Sequence, residues 1–308
     1  MSEAHLVKRI GYVGIGVADV DRATDFYERV GQLSLSERTP EGAFLTGGVE
    51  HHWLRLYKSQ APGDFRVGYE AVDAAALEEI AARLDARGIA YEEGGDLSVD
   101  RIDRSIRFRN PDGVELEIFT QMMELPTPPR QTTVKMLKLL HAVWSTQDVV
   151  AGYQFHADVL GFRDSDWLER RVVFLRCADG YHHSAGLAAT PGPAALQHFC
   201  ILVDTIDDVM RARNNALDQG AELLQDLLRH AASGSIGVYV KDPDLNFSVE
   251  FCTSHPQIED EGYRARILPK SAVTSDLWQE KPPAAAMAPS LPLLAPALEA
   301  APAPRKRA

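Results

Sequence analysis

Ile10-Gly11-Tyr12-Val13-Gly14-Ile15-Gly16-Val17-Ala18-Asp19 is an apolar extended run that ends on an aspartate, followed by a helical stretch through Phe26 that stops at Gly31. Leu140-His141-Ala142-Val143-Trp144-Ser145-Thr146-Gln147-Asp148 repeats the arrangement, with Phe155 and Gly161 in the matching places. An aspartate at such a boundary caps the first free N–H groups of a helix, and glycine ends a helix without steric cost. Two further pairs answer one another. Phe65-Arg66-Val67-Gly68-Tyr69-Glu70-Ala71-Val72-Asp73 leads into a helix over 74–87; His198-Phe199-Cys200-Ile201-Leu202-Val203-Asp204 leads into one that reaches Gln219 before Gly220. Asn110-Pro111-Asp112-Gly113 precedes Glu117-Ile118-Phe119, and Asp242-Pro243-Asp244-Leu245-Asn246 precedes Glu250-Phe251. The separations are 129 residues for Asp19 and Asp148, 131 for Asp73 and Asp204, and 132 for Asn110 and Asp242. Small loop insertions into a duplicated unit produce such a drift.

Short alternating runs such as His52-Trp53-Leu54-Arg55-Leu56-Tyr57 and Arg171-Val172-Val173-Phe174-Leu175 fill the places after each helix. The order strand, helix, several strands thus occurs twice per module and predicts four βαβββ units. The expectation is an α+β fold of two tandem modules over 8–120 and 136–254, helices on one side of curved sheets and a concave inner face. A C-terminal extension follows over 255–280. Residues 281–308 hold seven of the 18 prolines and ten alanines, and read as a disordered tail ending Arg305-Lys306-Arg307-Ala308.

Composition narrows the function. The chain has 308 residues, 45% hydrophobic and 25% charged, which suits two packed domains. Its net charge of -12 disfavours nucleic acid and anionic membrane as partners and favours a small molecule. Three cysteines (Cys177, Cys200, Cys252) without framework spacing, and an N-terminus without a basic-apolar leader, predict a cytoplasmic protein.

Histidine is uneven: seven of ten lie after position 140. Aligning the modules places His141, His198 and Glu250 opposite Tyr12, Val67 and Glu117. Two imidazoles and one carboxylate on three strands of one concave face are the ingredients of a facial triad that holds Fe(II), with Mn(II) as the other candidate. The first module is expected to hold no metal.

The stretch 8–280 resembles the two-module type I extradiol ring-cleavage dioxygenases of the vicinal oxygen chelate superfamily, a group that includes catechol 2,3-dioxygenases and 2,3-dihydroxybiphenyl 1,2-dioxygenases. His141, Gly180-Tyr181-His182-His183-Ser184-Ala185, Gln197-His198-Phe199 and the block His230 to Phe251 carry the resemblance, the last with Tyr239 nine residues after His230. The sequence departs from the family at Leu245-Asn246, where Asn246 is expected to supply a left-handed turn residue, and has Ser233 three residues after His230. The resemblance implies Fe(II), a substituted or bicyclic catechol, O2, and ring opening beside the diol to a semialdehyde, in aromatic degradation. It implies His183 as acid–base catalyst, Tyr239 and His230 as hydrogen-bonding partners of the substrate oxygens or of each other, and His141, His198 and Glu250 as metal ligands. Phe174, Val143, Ser233 and His182 are candidate substrate contacts, Trp144 a lesser one; strand alternation lets only one of His182 and His183 face the cavity. His156 is expected to be exposed, Cys200 a buried small hydrophobe, and the protein a homo-oligomer. A glyoxalase-type lyase or isomerase, or a non-catalytic binding protein of the same fold, are the other readings.

Overall fold

The computed structural model of the chain describes residues 4–129, 133–260 and 262–279; the stretch 281–308, read above as a tail, lies outside them. The first module runs β1 (Val7–Val17), α1 (Val20–Arg29), β2 (Ser34–Arg38), β3 (Gly42–Thr46), β4 (Leu54–Lys58), β5 (Phe65–Ala71), α2 (Ala74–Asp85), β6 (Tyr91–Gly94), β7 (Ser105–Arg109) and β8 (Glu115–Phe119). The second runs β9 (Met136–Thr146), α3 (Val149–Leu160), β10 (Arg163–Leu168), β11 (Val172–Arg176), β12 (Ala185–Ala189), β13 (Leu196–Val203), α4 (Ile206–Asp218), β14 (Leu223–Arg229), β15 (Ile236–Lys241) and β16 (Ser248–Thr253). Two βαβββ units per module are therefore present, as the repeat predicts. A short extension adds β17 (Arg266–Leu268), α5 (Ala272–Ser275) and a 3₁₀ turn at Leu277–Gln279.

Each module is one mixed sheet, ordered β2-β3-β4-β1-β5-β8-β7-β6 and β14-β15-β16-β13-β9-β12-β11-β10-β17. The first strand of each unit lies parallel to its last, and the two units meet antiparallel at β1 and β5, and at β9 and β13. The extension is thus not separate: β17 runs parallel to β10 and completes the second sheet's edge.

Local chemistry sets the helix ends. Asp19, Asp73 and Asp148 accept backbone N–H groups as N-caps, and Thr205 forms a reciprocal capping box with Asp208. Gly161 closes α3 at φ 72°, a left-handed conformation that favours glycine. The helix-side faces of both sheets share one core, in which Phe65 meets Trp144, Tyr69 meets Phe162, and Phe108 meets Phe155 across the modules. Tyr27 donates from its hydroxyl to Asp242 at 2.7 Å, tying α1 to the second module. No helix among the described residues is long and apolar enough to cross a membrane.

Two local expectations are corrected. Asn246 does not take a left-handed conformation; Asp242 closes that turn by accepting the N–H groups of Asp244 and Leu245, and Phe247 O accepts from Asp242 N. His156 is fully buried rather than exposed, with Nδ1 2.7 Å from Gly152 O and its ring beside Trp144 and Phe162. Burial lowers its pKa to about 4.

Candidate active site

The concave face of the second sheet is built by strand parity. On β9, residues 141 and 143 point to it; β13 contributes His198 and Cys200, and β16 contributes Glu250 and Cys252. The register pairs Cys200 with His141 and with Glu250, so three neighbouring strands deliver their side chains to one point. His141 Nε2 lies 3.0 Å from Glu250 Oε2 and 3.3 Å from His198 Nε2, and His198 Nε2 lies 3.4 Å from the same oxygen. These three ligand atoms converge tightly enough to hold one metal ion.

Electrostatics at this point favour a cation. Glu250 is 1% exposed, and its ion-pair partners His141, His198 and His230 carry charge only when protonated. Burial opposes the charge of Glu250, but the hydrogen bond from His141 and the neighbouring imidazoles hold its carboxyl well below the usual range. Burial also presses the His198 pKa down to about 3, leaving that ring neutral with a lone pair to offer. A buried carboxylate facing imidazoles without fixed charge is short of positive charge by an amount that costs several kcal/mol, and a divalent ion bound by N and O donors corrects it. The donor set fits a divalent transition metal.

Above this point opens a cavity of about 180 Å³. Val143, Leu168, Val172, Phe174 and Ala188 give it an apolar wall; Gln197, Gln225, Ser233, Ser235, Thr274 and Ser275 give it a polar one. His183 and Tyr239 line it, and His230 Nε2 lies 2.7 Å from Tyr239 OH. Burial pushes the Tyr239 phenol up and the His183 imidazole well down, so the first stays protonated and the second neutral near pH 7. Ser233 Oγ is paired with Ser235 Oγ at 2.7 Å.

Two expected contacts lie elsewhere, and Cys200 is buried as expected. His182 is turned off the cavity because neighbouring residues in extended chain point opposite ways; its Nε2 meets Asp166 Oδ2 at 2.9 Å. Trp144, one residue after Val143, points into the helix-side core for the same reason. Cys200 is buried behind the triad, 3.3 Å from Cys252 through their sulfurs.

The same register corrects the alignment of the modules. Val143 pairs with His198 on adjacent strands, and the corresponding pair is Gly14 with Arg66, so His198 answers to Arg66 and not to Val67. Val67 is a core residue on the opposite face. The first module therefore sets Tyr12, Arg66 and Glu117 where the second has two histidines and Glu250. Tyr12 and Ser105 donate to Glu117, and Arg66 and Arg107 approach it at 3.9 and 3.3 Å.

Sequence reading also missed a partner set that the repeat contained. His51-His52 stands 131 residues before His182-His183, Phe44 precedes Phe174 by 130, and Glu37 precedes Asp166 by 129. Sheet register confirms the match: Glu37 pairs with Phe44 and Asp166 with Phe174, each after a bulge. His255 and Arg266, which also pack here, come from the extension, where no repeat could point to them.

Residues 9–118 and 138–249 match the family described as Glyoxalase/Bleomycin resistance protein/Dioxygenase superfamily, and the chain belongs to it. It is 34% identical over 220 residues, 65% of this chain and 73% of the other, to an iron-dependent extradiol dioxygenase of Rhodococcus jostii. It is 31% identical over 265 residues, 80% of this chain and 89% of the other, to a 3-methylcatechol 2,3-dioxygenase of Pseudomonas putida. Among solved structures, the Mn(II)-bound glyoxalase from Novosphingobium aromaticivorans shares the fold, with a TM-score of 0.80 at 24% identity, covering 89% of this chain and 91% of that one. Within the superfamily, this chain is an enzyme of the extradiol dioxygenase kind.

Proposed function

We propose that the protein uses Fe(II), held by His141, His198 and Glu250, to open the ring of a substituted or bicyclic catechol beside its diol with O2, giving a semialdehyde. The observation that carries the reading is the convergence of His141, His198 and Glu250 at the floor of a cavity whose wall bears His183 and the hydrogen-bonded pair Tyr239–His230. When bound, the iron supplies the redox chemistry between diol and O2. The chain supplies position and protons. The apolar wall of Val143, Leu168, Val172 and Phe174 takes the ring and its substituent and strips water from it. His183, neutral and free of the triad, takes a proton from one substrate hydroxyl and later returns it to the departing oxygen. Tyr239 donates to a substrate oxygen, and His230 Nε2 then donates to the phenol oxygen and orients its hydroxyl. Ser233 sits on the polar wall, paired with Ser235.

The test is direct. Protein reconstituted anaerobically with Fe(II) is given biphenyl-2,3-diol, catechol and 3-methylcatechol under air, with O2 uptake and the yellow ring-opened product recorded. Uptake matched to product is expected; no uptake with any diol, in protein shown to hold Fe(II), sinks the proposal. Higher turnover with Mn(II) than with Fe(II) would move the metal assignment.

A further inference from the structure

His183 has an arranged environment behind it. His182 Nε2 meets Asp166 Oδ2 at 2.9 Å, and His182 Nδ1 meets His183 Nδ1 at 3.0 Å. Asp166 is fully buried and surrounded by donors: the Arg266 guanidinium, Arg266 N at 3.0 Å, and Tyr263 OH at 3.4 Å. Despite burial, the His182 and Arg266 contacts keep this carboxyl below its ordinary pKa, so it only accepts.

Proton counting along this chain leaves one arrangement. A neutral imidazole carries one N–H. Facing a carboxylate, His182 must carry it on Nε2, which leaves Nδ1 a lone pair. His183 must then donate from Nδ1, and if neutral it keeps no proton on Nε2. Its ring lines the cavity and lies 4.0 Å from that of His141, centre to centre.

We propose that Asp166, locked by Arg266 from the C-terminal extension, is a positioning residue that acts through His182 to fix the tautomer of His183, leaving Nε2 bare toward the cavity as the acceptor for a substrate hydroxyl proton. The inference rests on the proposed function and adds to it the residues that set the direction of proton transfer.

The first module supplies an internal control. Glu37 sits 3.1 Å from His51 Nε2, His51 Nδ1 lies 3.2 Å from His52 Nδ1, and Arg101 binds Glu37. Phe44 and Phe174 each lie 4.8 Å from the second histidine of their pair. His52, however, packs on Tyr12 where no ligand triad exists. The acid–histidine–histidine chain is thus a packing device of both modules, and only in the second does its far end meet a reaction site.

The experiment compares Asp166→Leu, Asp166→Asn and the control Glu37→Gln in Fe(II)-loaded protein. Two readouts are taken: kcat and KM for biphenyl-2,3-diol in air, and the ultraviolet difference spectrum of the same diol bound without O2, which reports whether a hydroxyl has lost its proton. Asp166→Leu should lower kcat about 10- to 100-fold, the usual cost of removing a residue that orients a catalytic imidazole, with KM within about threefold and the bound diol shifted toward its neutral form. Asp166→Asn keeps its oxygen where Tyr263 and Arg266 donate but turns an N–H donor toward His182 Nε2, which favours the opposite tautomer, so it should lose kcat as well. Glu37→Gln should change neither readout. A folded, iron-loaded Asp166→Leu with wild-type kcat and diol spectrum overturns the inference. Should that variant not fold, His182→Phe, which keeps the ring and removes the acceptor, gives the same decision. Failure of the wild type to ionise or consume the diol counts against the proposed function instead.

Discussion

The two modules solve one electrostatic problem in two ways. Each buries a glutamate, Glu117 or Glu250, at the same register position of its concave face. In the first, Arg66 and Arg107 bring guanidinium charge to the carboxylate while Tyr12 and Ser105 donate hydrogen bonds, so the site is complete within the chain. In the second, the places of Tyr12, Arg66 and Arg107 are held by His141, His198 and Tyr239, two imidazoles and a protonated phenol that leave the carboxylate without a fixed cation. A buried charge must be paired. Side-chain cations pair it in one copy; in the other, the converging atoms of His141, His198 and Glu250 could hold a metal ion instead.

The sharpest way to break this comparison is to write one module's residues into the other. His141→Tyr combined with His198→Arg should abolish iron binding and lower turnover by at least about a thousandfold, since both the redox centre and its ligands go. The metal-free double variant should nevertheless unfold at least as late as metal-free wild type, because the arginine supplies the cation. Iron by atomic absorption and thermal unfolding check both halves; retained iron at full occupancy would contradict the ligand assignment.

Next in size is a matched pair of histidines. His183→Ala should lower kcat about 10²- to 10⁴-fold, the range for a lost general base. His52→Ala, the same change at the equivalent place, should leave kcat within about twofold and appear only as lost stability. Equal kinetic effects would mean that the shared acid–histidine–histidine chain matters through packing alone.

Smaller effects concern stability. Tyr12→Phe removes a donor from buried Glu117 and should cost about 1–3 kcal/mol in urea unfolding, with iron content unchanged. His156 is buried neutral with its pKa lowered to about 4, while Tyr27, its counterpart 129 residues earlier, does not ionise in acid. The folded-state value lies below the unfolded one, so this contribution is present above pH 6.5 and is lost as pH falls toward 4. Up to about 3 kcal/mol is at stake. His156→Phe should flatten the fall in stability between pH 6.5 and 4, measured against wild type; an unchanged slope would assign the acid sensitivity to other groups.

How much was legible follows from which interactions are local. Caps, turn residues and the drift of the repeat are short-range features, so the four βαβββ units, the two modules and the skew of histidines into the second could be read from residues alone. His141, His198 and Glu250 were reachable because each sits at one element of a repeat. Strand parity across a pairing is not a property of the chain alone: the repeat sets Val67 opposite His198, whereas the ladder between β1 and β5 puts Arg66 there. The His51-His52 echo was present in the sequence but meant nothing until Glu37 and Asp166 were seen behind it.

The sequence by itself determined the fold class, the duplication, the identity of the metal-binding candidates and the direction in which chemistry was to be sought, because these depend on patterns along the chain. Only the tertiary structure decided that the first module's glutamate is paired by arginines, that His182 turns away from the cavity, and that Arg266 locks Asp166 from a strand 100 residues on. Those facts depend on sheet register and on which face a side chain takes, and a one-residue shift in either reverses the answer.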